Sequence, residues 1–254
     1  MSPERERILR EMGLGPVWKL RSGGAVPSAN QVAPASIAES ACEAAPLPAA
    51  APLPSDLTVT PATAAAAGMG WEELAAAVAT CRRCQLCAAR KQAVLGVGDV
   101  AADWLFVGEG PGAEEDQRGE PFVGQAGKLL DSMLASIGLQ RGCNVYIANA
   151  VKCRPPENRT PTAEEIATCR PYLERQIELI QPKLIVALGR PAAQTLLQKD
   201  VKIGAARGQV HRYRDIPLIV TYHPAYLLRN LPDKARTWED LCLMRRTMRQ
   251  GDNV

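Results

Sequence analysis

The chain has 254 residues, 46% of them hydrophobic, and a formal charge of +3, which is material for one good core or two small ones. It holds no apolar run of the roughly 18 residues that a membrane helix needs, and its charged start, MSPERERILREMG, has no apolar stretch of the secretory kind. A cytoplasmic protein is therefore expected, and in that compartment eight cysteines read as metal ligands or small buried residues rather than disulfides.

Charge is unevenly spread. Residues 1–70 carry 5 basic and 6 acidic side chains, residues 71–169 carry 10 and 13, and residues 170–254 carry 15 and 8. The last third, net +7, is the part that suits a polyanion.

In chain order, residues 1–24 read as a short peptide with an amphipathic helix from Pro3, a candidate binder of a replication or repair protein. Residues 25–70 read as a disordered linker, because 16 Ala and 7 Pro crowd positions 25–67 with no aromatic residue and cannot offset their ordering entropy. The folded domain is expected over 71–254. Helical spacing runs through WEELAAAVATCRRC from Trp71, a strand is expected at Trp104–Val107 and a helix at Ala126–Ile137. Then follow strand Val145–Ala148, helix Ala163–Ile180 opened by a Thr162/Glu165 capping box, and strand Leu184–Leu188. Helix Pro191–Leu197, a hairpin around His211, strand Leu218–Thr221 and helix Ala235–Arg249 complete the chain. This alternation predicts one α/β domain, three layers αβα around a mainly parallel sheet. Ligands of such sheets bind beyond the carboxyl ends of the strands. Gly108-Glu109-Gly110, Asn149, Gly189-Arg190 and His223-Pro224 follow the four strands, and all four are expected to line one cleft.

The first of these ends poses a problem. VGEGPGAEEDQRGEPF opens like a phosphate-binding turn but carries Glu109, Glu114, Glu115, Asp116 and Glu120, which would repel an anion well inside the screening length of ~8 Å. The loop also lacks the third glycine of a dinucleotide fingerprint, so a nucleotide-cofactor enzyme is disfavoured.

CRRCQLC spaces Cys81, Cys84 and Cys87 two residues apart, and Cys153 and Cys169 lie further on. A C-x2-C pair with a distant second pair suits a four-thiolate zinc or iron–sulfur site, and spacing alone does not choose between them.

GEGPGAEEDQRGEPFVGQAG, NAVKCRPPENRTP, VALG and HPAYLLRN occur in this order and resemble the motifs of the family 4 uracil-DNA glycosylases, the iron–sulfur branch of that superfamily. The likeness covers about residues 71–248 and leaves the first 70 unexplained. It implies a monomeric enzyme that acts on uracil-containing DNA, and a [4Fe-4S] cluster on Cys81, Cys84, Cys153 and Cys169, with Cys87 spare. It also implies that the glycine loop meets a neutral pyrimidine flipped out of DNA. Backbone N–H groups near Gly110 and Glu115 would bond its carbonyl, Phe122 would stack on its face, and the Asn149 amide would read its edge. His223 would stabilise charge on the leaving base, with Glu109 or Glu115 assisting water or the cation-like sugar. Leu227 and Leu228 are wedge candidates for the gap in the stack, and Arg229, with Arg154, Arg159 and Arg190, would hold phosphates. A related branch cross-links to the abasic sugar through a histidine in an inserted loop and has Gln where Gly110 stands. NAVKCRPPENRTP contains no histidine, so ordinary turnover is expected. The competing reading is a catalytically silent iron–sulfur or zinc module that binds nucleic acid, which leaves Asn149 and His223 at strand ends without a purpose.

Overall fold

The computed structural model describes residues 66–251. The peptide at 1–24 and residues 25–65 of the linker lie outside the described residues.

Four strands, β2 (Trp104–Gly108), β3 (Val145–Asn149), β4 (Leu184–Leu188) and β6 (Ile216–Thr221), run parallel. β1 (Val97–Gly98) and β5 (Val210–Tyr213) pair antiparallel on the two edges, giving the order β1-β3-β2-β4-β6-β5. The mainly parallel sheet is as expected. β2, β3 and β4 are buried throughout, and alternate side chains feed two cores, as a period of two requires. On one face Leu105, Val107, Ile185, Ala187, Leu218 and Val220 meet Leu173 and Ile177 of α5 (Ala163–Ile180) and Leu196 of α6 (Arg190–Leu197). On the other, Phe106, Ile147, Val186 and Ile219 meet Leu130, Met133 and Leu134 of α4 (Gln125–Ser136) and Leu241 and Met244 of α9 (Asp233–Gly251). These are the two outer helical layers.

The capping box forms: the Thr162 N–H donates to Glu165 at 2.8 Å, and the Glu165 N–H donates to Thr162 Oγ1 at 3.3 Å. The first helix is shorter than its spacing suggests. α1 spans Trp71–Thr80, and Cys81 leaves it with extended ψ of 130°. Cys81 and Cys84 therefore sit on a turn ahead of α2 (Leu86–Ala89), which carries Cys87, against a third small core of Leu74, Val78, Leu86, Val151 and Tyr172. Two short helices, α3 (Ala113–Arg118) and α8 (Pro224–Leu227), start directly beyond β2 and β6, and α7 (Ile203–Ala206) precedes β5. No helix among the described residues is long and apolar enough to cross a membrane.

The chain steps outward from β2 to β3, then crosses back past β2 to β4 and β6. The loops that follow β2 and β4 thus diverge, and a crevice opens at their carboxyl ends.

Candidate active site

A cavity of about 500 Å³ occupies that crevice, lined by Glu109, Gly110, Glu115, Phe122, Asn149 and His223 among others. Three of the four expected strand ends meet there. The fourth does not: Gly189 packs behind His223, where a Cβ would stand 3.0 Å from His223 Cβ, and Arg190 turns away to pair with Asp200 at 2.9 Å. Arg190 is thereby corrected as a cleft residue.

Asn149 ends β3 in register with Gly108 of β2. It is 2% exposed, and its Oδ1 is buried with no hydrogen-bond partner. Such an orphan costs about 1–3 kcal/mol unless a donor arrives, and the cavity is where a donor would sit. The Asn149 backbone is anchored from below. Lys152, fully buried, donates from Nζ to the Asn149 carbonyl at 2.9 Å and also to Gln176 Oε1. Burial pushes this ammonium down to about 8, against the pull of Cys169 and Cys153.

His223 caps α8. The Ala225 N–H donates to its Nδ1 at 3.1 Å, so in the neutral ring the proton resides on Nε2. Burial, and secondarily Arg229, lowers the ring's pKa to about 4, with Glu115 opposing. The imidazole is therefore neutral near pH 7 and keeps one N–H to donate. Its ring lies 5.4 Å from that of Phe122, tilted by 30°.

Phe122 is both a core residue and a cavity wall. It packs with the α4 side of the core, yet its backbone is left-handed, with φ of 55°, a conformation that costs a non-glycine residue on the order of 1–3 kcal/mol. Arg141 holds it, donating to the carbonyls of Pro121 and Phe122 at 2.9 and 2.8 Å. Nothing in the local sequence around Arg141 signals this; the residue lies in the turn between α4 and β3.

The five acids of the glycine loop separate by task. Glu115 Oε1 accepts from the N–H groups of Val123 and Gly124 at 2.9 and 3.1 Å, and Oε2 from Gly112 at 3.0 Å. Its carboxylate therefore ties the loop together. Asp116 is buried and accepts from the Lys91 N–H through both oxygens. Glu114 and Glu120 are exposed. Glu109 remains as the carboxylate turned to the cavity; burial raises its pKa, and a hydrogen bond with Thr160 opposes the rise.

Leu227 is 1% exposed and belongs to the α4 side of the core. Its reading as a wedge is corrected: the short helix α8 turns it inward. Leu228, at 43%, and Leu231, at 54%, are exposed, and the sequence reading overlooked Leu231. Arg229 is exposed at the cavity wall. Arg159 also lines the cavity but forks onto Glu165 at 2.7 and 2.9 Å, and Arg154 bonds Asn158 at 2.8 Å.

Cys81, Cys84, Cys153 and Cys169 line one small cavity together with Arg90 and Lys152, and Cys87 is not among its lining residues. The Arg90 guanidinium donates to Cys153 Sγ at 2.8 Å and the Lys152 N–H to Cys169 Sγ at 3.2 Å, the surroundings that favour thiolates. Burial raises the pKa of the Cys84 and Cys153 thiols and pushes Cys169 up to about 12, so these sulfurs stay protonated until a metal displaces the protons. Among the described residues no group of three or more His, Cys, Asp or Glu side chains gathers closely enough to hold a single metal ion. Four cysteine thiols around one small cavity are a donor set used both by a four-thiolate zinc ion and by an iron–sulfur cluster.

Residues 95–242 match the family model of the uracil DNA glycosylase superfamily. The chain is 46% identical over 165 residues to the type-4 uracil-DNA glycosylase of Archaeoglobus fulgidus, covering 62% of this chain and 82% of that one. It is 47% identical over 161 residues to that of Thermotoga maritima, covering 63% and 83%. It is 40% identical over 183 residues to that of Pyrobaculum aerophilum, covering 69% and 93%.

Proposed function

The chain belongs to the type-4 branch of the uracil-DNA glycosylase superfamily, and from that premise we propose how its cavity removes uracil from DNA. It is a DNA-repair hydrolase of N-glycosidic bonds, and the finer assignments below are our reading of its residues.

The flipped uracil enters the cavity with its face on Phe122 and its edge on Asn149. The orphaned Asn149 Oδ1 accepts the uracil N3–H, and the amide NH2 faces O4. Cytosine offers the reverse pattern at these positions, so an amide held by its neighbours discriminates between the two. Breaking the bond between N1 and C1′ sends the electron pair onto the uracil ring and its O2. There the Nε2–H of neutral His223 donates to the growing charge, as a preorganised oxyanion donor does. Backbone N–H groups near Gly110 and Glu115 add to this. The sugar is left cation-like, and Glu109 assists the water that adds to C1′ by accepting its proton. Glu115, with both oxygens taken by backbone amides, contributes loop geometry in place of that chemistry.

Leu228 fills the gap in the base stack and Arg229 holds a phosphate beside it. Cys81, Cys84, Cys153 and Cys169 hold a [4Fe-4S] cluster, whose contribution is structural: it joins the turn after α1 to the loop after β3. The enzyme acts as a cytoplasmic monomer, and the peptide at 1–24 recruits a replication or repair protein.

The observation that carries the reading is the bond from the Ala225 N–H to His223 Nδ1, because it sets the tautomer that faces the cavity. Labelled single- and double-stranded oligonucleotides bearing one uracil, treated with enzyme and then alkali, test it. Cleavage at uracil and not at thymine or cytosine is expected, with His223→Ala losing far more activity than Glu109→Gln. The reverse ranking would shift the chemistry from leaving-group stabilisation to water activation.

A further inference from the structure

We propose that Arg141 is a positioning residue that presents Phe122 to the base, acting on the site only through the backbone it grips. The proposal rests on the uracil reading of the cavity.

Four consecutive residues, 121–124, are held from two sides by opposite charges. Arg141 reaches across from the turn before β3, and its guanidinium spans the carbonyls of Pro121 and Phe122 at 2.9 and 2.8 Å while Nε is anchored on Asp131 at 3.0 Å. Glu115 takes the next two N–H groups, those of Val123 and Gly124. α4 presses against the same segment, so closely that a Cβ on Gly127 would stand 1.7 Å from the Phe122 carbonyl oxygen. Phe122 thereby stays left-handed at φ of 55°, and its ring is delivered beside Gly108 and His223.

The two carbonyls are where the choice of arginine matters. They need two donors in one plane at a fixed separation, which a guanidinium offers and an ammonium does not. Without the fork both carbonyls lose the guanidinium that holds them, and Phe122 can relax towards negative φ. That relaxation swings the ring off the cavity wall. Arg141 itself is not among the residues that line the cavity, so its effect on the base is expected to travel through Phe122.

The test uses full-length protein with Arg141→Met and Arg141→Lys, each alone and combined with Phe122→Ala. Measured are kcat/KM on a uracil oligonucleotide, inhibition by free uracil, and the thermal midpoint. Displacing a ring by about 1 Å can cost on the order of 100-fold, so a loss of 10- to 100-fold is expected for both single variants, with weaker inhibition by uracil. Arg141→Lys keeps the charge beside Asp131 and so protects the fold while still losing the fork. In the Phe122→Ala background the same replacements should change kcat/KM by no more than about twofold, because coupled residues do not add. An equal loss in both backgrounds would overturn the proposal and point to a direct DNA contact. So would full activity of Arg141→Met, or a loss that merely tracks the unfolded fraction. If the unmodified, metal-replete protein failed to cleave at uracil, the underlying reading would fall and this proposal with it.

Discussion

Replacing Gly108 by alanine places one methyl group where two walls of the cavity meet. The new Cβ would stand 2.4 Å from Asn149 Oδ1 and 2.5 Å from Phe122 Cζ, where ordinary contact begins at 3.4 Å. Each wall must therefore retreat by about 1 Å, and a misplacement of that size costs on the order of 100-fold in rate. Neither wall yields easily. The Asn149 main chain is held by the β2–β3 ladder and by Lys152, and its side chain is 2% exposed, while Phe122 is held by Arg141 and Glu115's loop contacts. The expected fall of about 100-fold in kcat/KM corresponds to about 2.7 kcal/mol of transition-state stabilisation, and overpacking lowers folding stability by about 1–3 kcal/mol. Single-turnover cleavage of a uracil oligonucleotide measures the first and denaturant unfolding the second. Gly204→Ala is the matched control: Gly204 is the second residue of α7 with nothing within 4 Å of a new Cβ, so activity should hold and stability stay level or rise by about 0.4–1 kcal/mol. A folded Gly108→Ala enzyme within about threefold of wild-type kcat/KM would show that these walls move freely, and the rigid-cavity reasoning would fail.

Three other expectations follow from the same geometry. Cys153→Ser should lose iron and the broad visible absorbance of a cluster after anaerobic purification, and melt at lower temperature, whereas Cys87→Ser should keep all three properties; an iron-free Cys87→Ser protein would refute the ligand set. Leu227→Ala should cost about 2–5 kcal/mol of stability as a core truncation, while Leu228→Ala should melt normally and raise KM for duplex DNA; the opposite pattern would reverse their roles. The third concerns pH. His223 titrates at about 4 in the folded protein, against an ordinary 6.5. As pH falls, the unfolded chain takes up this proton first, so the stability from the neutral ring is present above 6.5 and is lost between 6.5 and 4. That loss is at most about 3 kcal/mol. Denaturant melts across this window, compared between wild type and His223→Gln, should diverge as pH rises, and parallel curves would refute the assignment.

The sequence by itself determined what depends on neighbours along the chain. Short continuous apolar runs marked β2, β3, β4 and β6, and Thr162 with Glu165 marked the start of α5, because apolar runs and capping are local properties. The motif order and the C-x2-C spacing pointed to the chemistry for the same reason. The tertiary structure decided everything that needed two distant segments to meet. That Gly189 backs His223 while Arg190 turns to Asp200 follows from sheet order, which no local pattern encodes. The two leucines at 227 and 228 are chemically identical, and only the path of α8 sends one into the core and leaves the other in solvent. Phe122 is held left-handed by Arg141, nineteen residues away. In each case the deciding quantity is a hydrogen bond or a contact made across the fold, and such bonds have no signature until the chain has closed around them.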